Sequence, residues 1–173
     1  MARFQIVPER SRVWIEARSS VHPINSATDG LEGYLDLTTG PDGEIDLDSA
    51  AAGKLSLPVA RLRSGNRLED RELQKRIDAR RFPTIDGLLT NMTRVDSDGR
   101  YRVAGDLAFR GVVRAYEDDM TISVVDDRTV RLEGEHTFDI RDFGMEPPRI
   151  LMLRVEPDVT VRVEIEAERE GEG

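Results

Sequence analysis

Apolar and polar residues alternate along most of this chain. Val13, Ile15 and Ala17 are separated by Trp14 and Glu16, and the same two-residue period returns in seven later segments. Successive side chains of a β-strand point to opposite faces, so this period predicts strands with one buried and one wetted face. The sequence therefore predicts an all-β fold of antiparallel strands. The predicted inward positions are Val13, Ile15 and Ala17; Leu31, Leu35 and Leu37; Leu55, Leu57 and Val59; Ile85 and Leu89; Tyr101, Val103, Leu107 and Phe109; Met120, Ile122 and Val124; Val130, Leu132, Phe138 and Ile140; and Val159, Val161, Val163 and Ile165.

One segment departs from this period and predicts a short helix over about residues 66–80. It holds few β-branched residues, and its apolar residues stand four apart. Asn66 is a favourable N-cap residue, Glu69 follows at the spacing of a capping box, and Pro83 lies just beyond the end. We expect this helix to close one end of a barrel or to pack on its outside.

Glycines on the apolar faces favour a barrel over a two-sheet sandwich, since both folds would hide those faces. Gly33, Gly87, Gly105 and Gly134 stand at inward positions of four different strands. A glycine inside a strand commonly marks a bend or a close approach to the backbone. We predict an eight-stranded, lipocalin-like antiparallel barrel with a hollow interior. The alternative is a solid core in which each glycine relieves crowding.

The length of 173 residues fits one domain, which we place at residues 1–167. The acidic segment 168–173 is expected to be a disordered tail. No apolar run approaches 18 residues, and the first twelve residues hold no apolar stretch of seven or more. We therefore expect no integral membrane association and no secretion, which leaves a cytoplasmic location.

Charge and cysteine content exclude several classes of function. A formal net charge of −9 would repel phosphate backbones, so nucleic acid is not an expected partner. The chain has no cysteine, which excludes disulfides, thiolate nucleophiles and sulfur-ligated zinc. We assign no metal site and no catalytic residue from the sequence.

Three segments in order resemble the YceI-like family of bacterial lipocalin-fold proteins. They are Glu69–Ile85 (EDRELQKRIDARRFPTI), Tyr101–Val113 (YRVAGDLAFRGVV) and Ile140–Met145 (IRDFGM), within a resemblance that spans about Phe4–Ala167. Arg110 stands where that family commonly has histidine. The resemblance implies an eight-stranded barrel with a helix near one end, and an interior that takes a polyisoprenoid or similar lipid.

We therefore predict that the chain binds, stores or transports an isoprenoid or other lipid-like molecule, such as a quinone-like lipid, and needs no other cofactor. Burial of the apolar chain of the ligand would supply the affinity. The predicted ligand-binding residues are Ile15, Leu35, Leu57, Leu89, Val103, Leu107, Phe109, Ile122, His136, Phe138 and Phe143.

Two alternatives remain open on the sequence alone. His136 lies among inward apolar residues, where it is either a hydrogen-bonded structural histidine or a group that orients a ligand head group. An enzyme acting on a small apolar substrate would use His136 as acid or base. His22 lies in the loop-like stretch Ser19–Asn25 and is expected to be exposed. A solid-cored interaction module would instead use the apolar run Ile150–Leu153, which we otherwise predict to be a lid or a homodimer surface.

Overall fold

Strands make up most of the chain, as the alternation predicts. The computed structural model describes residues 1–21, 23–147, 149–150 and 153–171. Within those ranges it has twelve strands, one α-helix and three short 3₁₀ turns. The strands are β1 (Ala2–Ile6), β2 (Arg12–Ser19), β3 (Pro23–Thr28), β4 (Glu32–Thr39), β5 (Ile45–Asp46), β6 (Ala52–Pro58), β7 (Thr84–Arg94), β8 (Arg100–Phe109), β9 (Val112–Val124), β10 (Thr129–Asp139), β11 (Arg149–Ile150) and β12 (Leu153–Arg169), and the helix is α1 (Arg67–Ile77).

Eight of these strands form a closed antiparallel ring, which confirms the predicted barrel. The order around the ring is β1, β4, β6, β7, β8, β9, β10 and β12, and β12 pairs again with β1. Closure depends on the five-residue β1, which pairs with β4 on one edge and with β12 on the other. A closed ring leaves no edge strand at this level of the barrel.

The wall is arranged differently at the other end of the barrel. At that end, β2 instead of β1 pairs with the same edge of β12, and β3 pairs with β2. Beyond β3, the described residues continue the sheet only through an isolated bridge between Ala27 and Arg63. The prediction of a loop over Ser19–Asn25 is wrong at Ser19, which ends β2, and from Pro23 onward, where β3 begins. His22 itself lies outside the described residues.

The end of the barrel that β1 closes is a solid apolar core. Phe4, Leu37 and Ile165 are almost fully buried there, together with Val130 and Ala167. These residues come from four consecutive strands of the ring, and Met92, Tyr101 and Ile122 of β7, β8 and β9 belong to the same core cluster. We call this end the base of the barrel.

The C-terminal strand continues farther than the sequence indicated. β12 runs through Arg169, which pairs with Phe4, and the Glu170 N–H donates to the Arg3 carbonyl at 2.8 Å. The predicted disordered tail over residues 168–173 is therefore wrong for its first three residues. The reason is that β1, which was not predicted, pairs with this segment on one edge, while Thr129 and Arg128 pair with it on the other.

Helix α1 begins where its capping residue predicts. The side-chain oxygen of Asn66 accepts hydrogen bonds from the N–H groups of Leu68 at 3.0 Å and Glu69 at 3.3 Å. The predicted capping box does not form, because the Asn66 N–H donates instead to Ser64 Oγ at 3.2 Å. The Glu69 side chain is buried rather than turned back toward the cap.

The helix ends at Ile77 rather than near Arg80. Asp78 adopts a left-handed conformation with φ of 61°, and its N–H donates to carbonyls of the last helical turn. A left-handed residue at this position ends a helix by satisfying its free carbonyl groups. The helix is thus shorter than predicted, and its position between β6 and β7 is as expected.

Replacing Asn66 with alanine should lower the free energy of unfolding by about 1 kcal/mol, because two N–H groups at the helix start lose their acceptor. For a domain of this size, that change corresponds to a fall of roughly 2–4 °C in Tm. Thermal unfolding followed by circular dichroism measures it, with Arg71→Ala on the exposed side of the helix as the control. An unchanged Tm for Asn66→Ala would contradict the assigned cap.

Candidate functional site

A cavity of about 440 Å³ lies inside the barrel, between the solid base and helix α1. This volume is within the range of about 300–1,000 Å³ that is usual for small-molecule sites. The wall is almost entirely apolar. Ten of the eleven predicted ligand-binding residues line the cavity: Ile15, Leu35, Leu57, Leu89, Val103, Leu107, Phe109, His136, Phe138 and Phe143. Ile122, the remaining one, is buried in the apolar core instead.

One of the inward glycines leaves room for this cavity, and a second makes room for a methionine side chain in its wall. A Cβ atom placed on Gly87 would meet only Leu55, at 3.8 Å or more, so the space above this glycine is open. Gly134 also lines the cavity, and the Met120 side chain lies over it, so that a Cβ atom on Gly134 would be 2.9 Å from the Met120 Cγ. The barrel is therefore hollow in its middle and upper part, as predicted.

The other two glycines have a different cause, which is close backbone approach. A Cβ atom on Gly33 would lie 1.9 Å from the Lys54 carbonyl oxygen, and the residue has φ of +142°. A Cβ atom on Gly105 would lie 2.7 Å from the Leu88 carbonyl oxygen, next to a bulge in β7. These two positions serve strand packing and curvature.

The upper end of the cavity is covered by α1 and by the segments around it. Leu73 and Ile77 of the helix line the cavity, and Ile77 packs with Val59 and Met145 in a second buried cluster. The 3₁₀ turn Ile140–Phe143 follows β10, and its Ile140 packs against the same cluster. We call it the cover turn. The ring of its Phe143 meets Phe109 edge to face, with centroids 5.5 Å apart.

The barrel wall opens between β9 and β10. Their ladder runs from Val130–Val124 to Gly134–Met120 and then stops, although both strands continue. The unpaired halves are residues 112–119 of β9 and 135–139 of β10. We call this gap the β9–β10 seam. β9 stays fully paired with β8, and β10 stays paired with β12, so only the two facing edges are separated.

Side chains, rather than backbone hydrogen bonds, close the seam. His136 Nδ1 lies 2.6 Å from Asp118 Oδ2 across the gap. One step farther up, the rings of Tyr116 and Phe138 meet edge to face with centroids 4.7 Å apart. Above them, Arg114 Nε donates to the carbonyl oxygen of Asp142 in the cover turn at 2.9 Å.

The hydrogen bond from His136 helps to lower the pKa of Asp118. Burial raises the pKa of this carboxyl group, but hydrogen bonds from His136 and from the Asp119 N–H act against burial, and the net pKa is lowered. An ionised carboxylate only accepts hydrogen bonds, so the imidazole must donate from Nδ1. In the neutral ring this leaves Nε2 as the acceptor.

Tyr116 places a polar atom in the apolar part of the cavity wall. Its hydroxyl oxygen is buried and has no hydrogen-bond partner among the described residues. Burial, reinforced by the nearby charge of Asp142, raises the pKa of the phenol, so the group keeps its proton. Tyr116, a residue of the cavity wall, therefore holds a buried hydroxyl donor that no described residue uses.

Two acidic residues of α1 line the cavity at its upper end. Glu69 and Asp70 are each only 8% exposed. Asp70 Oδ1 accepts hydrogen bonds from the N–H and hydroxyl groups of Ser64, at 2.8 and 2.7 Å. No side-chain hydrogen bond or ion pair is found for the Glu69 carboxylate within the described part of the chain. Negative charge thus borders the cavity on two sides.

The sequence did not single out Tyr116, Asp118 or Glu69 as site residues. Asp118 and Tyr116 precede the predicted strand that starts at Met120, and Glu69 was assigned to a helix cap. The run Ile150–Leu153, predicted to be a lid or homodimer surface, includes residues outside the described ranges. Over the described residues, no cluster of three or more histidine or acidic side chains could hold a metal ion. Nor does any described helix have the length and apolar character to span a membrane.

Comparison with known proteins agrees with this architecture. A family model described as YceI-like domain matches residues 4–167. A polyisoprenoid binding domain from Saccharophagus degradans superposes with a TM-score of 0.79 at 12% identity, covering 98% of this chain and 100% of that one. BcnA from Burkholderia cenocepacia gives 0.77 at 14% identity, with 93% and 98% covered. The YCEI protein of Campylobacter jejuni gives 0.67 at 15%, with 86% of each chain covered. A sequence search of curated proteins finds no match.

Proposed function

This chain belongs to the YceI-like domain family, and on that premise we propose that its barrel binds an isoprenoid or another lipid-like molecule, including quinone-like lipids, in order to store or transport it. The observation that carries the proposal is the cavity of about 440 Å³ with an apolar wall inside a closed barrel. An apolar chain that leaves water for such a wall gains about 25 cal/mol per Å² of buried area before ordering costs.

The division of the barrel into a solid base and a hollow upper part supports this role. The base contains several of the least exposed residues, among them Phe4, Leu37 and Val130, so we expect it to stabilise the fold without help from a ligand. The cavity can then be filled or emptied while the base keeps its packing. The S. degradans neighbour is itself described as a polyisoprenoid binding domain, which favours the same class of ligand here.

The proposal includes a cytoplasmic location, which fractionation of the source cells would test. A homodimer and an enzymatic role for His136 stay predictions. The enzymatic alternative differs from lipid binding in its expected result: His136→Gln would abolish turnover of an apolar substrate while the protein remains folded.

Organic extraction of protein purified from its source, followed by mass spectrometry, tests the proposal directly. We expect an isoprenoid or lipid-like species in near-stoichiometric amount. A mock purification from cells that lack the protein is the control for lipids carried over. An extract of the native-source protein that contains no such species, or no more than the control, would contradict the proposal.

A further inference from the structure

We infer that the β9–β10 seam is a head-group site, built by Tyr116, His136 and Asp118, that selects lipids with a neutral oxygen-bearing head over lipids with a phosphate head. This inference rests on the proposed lipid-binding function, and it adds the chemical nature of the polar end of the ligand. All three residues line the cavity at the point where the wall is not closed by backbone hydrogen bonds.

The Tyr116 hydroxyl supplies the donor of this site. A buried hydroxyl without a partner has lost its hydrogen bonds to water and gained none from the protein, which is unfavourable. A hydroxyl or carbonyl oxygen on a ligand would restore one such bond. The neighbouring rings of Phe138 and Phe143 lie 4.7 and 6.0 Å from the Tyr116 ring and hold it in place.

His136 supplies an acceptor beside this donor. Asp118 occupies its Nδ1, and Nε2 has no hydrogen-bond partner among the described residues. The centroids of the Tyr116 and His136 rings are 5.3 Å apart, so one small head group can reach both side chains. An alcohol fits this pair best, because its oxygen accepts from Tyr116 while its hydrogen is donated to Nε2.

The charges around the cavity disfavour an anionic head group. Carboxylates of Glu69, Asp70 and Asp118 line it, and like charges brought together in a partly buried site repel each other. Arg102, Arg110 and Arg114 are cations near the seam. Arg102 pairs with Glu117 and Asp119, whereas Arg110 and Arg114 donate to backbone carbonyls of the cover turn, and the buried Arg110 Nε has no partner among the described residues. None of these arginines is among the residues that line the cavity.

Three probes that share one isoprenoid chain test the inference: phytol with a hydroxyl head, phytyl phosphate with an anionic head, and phytane with none. Their affinities follow from displacement of the neutral fluorophore N-phenylnaphthylamine. We expect the wild-type protein to bind phytol about 10-fold more tightly than phytyl phosphate, the equivalent of about 1.4 kcal/mol. We expect Tyr116→Phe to weaken phytol binding by about 10-fold and to leave phytane binding within about two-fold.

Two controls separate a head-group role from a structural one. Tyr34→Phe makes the same chemical change on a tyrosine that does not line the cavity, and should leave all three affinities unchanged. The ligand-free Tyr116→Phe protein should have a Tm no lower than wild type, because the hydroxyl it loses has no partner among the described residues. Equal or tighter binding of phytyl phosphate, or equal weakening of phytol and phytane, would overturn the head-group site while leaving lipid binding intact. Failure of all three probes to bind would overturn the proposed function together with it.

Discussion

Replacing Gly87 with phenylalanine is expected to weaken binding of isoprenoid ligands by about 100-fold or more, a loss of at least about 2.7 kcal/mol. Gly87 lines the cavity, and a Cβ atom added there would meet only Leu55, at 3.8 Å or more, so a larger side chain can extend into the cavity. Its φ is not in the left-handed range, so a phenylalanine requires no strained backbone. The ring would take the volume that the ligand chain needs.

The same substitution should not destabilise the protein, which distinguishes a filled cavity from a damaged fold. The added ring buries apolar area against Leu55 and neighbouring cavity residues, so Tm should stay the same or rise. Val113→Phe adds a ring at an exposed position of β9 and is the matched control, with unchanged binding expected. Fluorophore displacement and thermal unfolding measure both effects. Wild-type affinity in a folded Gly87→Phe protein would show that the ligand does not occupy this cavity.

Replacing Phe4 with alanine is expected to lower the free energy of unfolding by about 3–5 kcal/mol. The Phe4 side chain is 1% exposed and packs in the base, and its strand closes the ring between β4 and β12. The substitution removes a ring from a core with no room to collapse, so it leaves a cavity behind. The corresponding fall in Tm is on the order of 10 °C.

Denaturant unfolding measures this loss, and Gln5→Ala on the outer side of the same strand is the control, with a change within about 0.5 kcal/mol expected. Phe4 does not line the ligand cavity. The Phe4→Ala protein should therefore bind phytol with wild-type affinity at temperatures where it remains folded. A small change in stability would mean that the base is not the stabilising core, and a selective loss of binding would mean that base and cavity are not independent.

The alternation predicts the barrel because this fold mainly requires each strand to bury one face. An apolar residue at every second position meets that requirement. Alternation does not predict the short strands. β1 has five residues, and its role depends on partners far away in the chain. β3 carries Ser26 and Thr28 at inward positions, so its sequence lacks the apolar period. It is a strand because its backbone pairs with β2.

The seam shows where pattern reasoning fails for a functional reason. Asp118 and Arg114 occupy positions of β9 that alternation assigns to the interior, so only the half from Met120 onward resembles a strand. The structure explains these polar residues by partners across the gap, His136 and the cover turn. A strand half with polar inward residues, next to a predicted inward histidine, is the sequence signal that could have indicated this site.

Because the β9–β10 ladder is interrupted, we expect the base and the β9–β10 seam to differ in how readily their backbone hydrogen bonds open. At the base, every strand of the ring has hydrogen-bonded neighbours on both edges, so its amide hydrogens should exchange with solvent only on global unfolding. The facing edges at residues 112–119 and 135–139 lack such neighbours and are held by a few side-chain contacts. Those edges can separate in small local fluctuations that leave the base intact. We therefore expect slow exchange of the amide hydrogens at the base and faster exchange along these two edges.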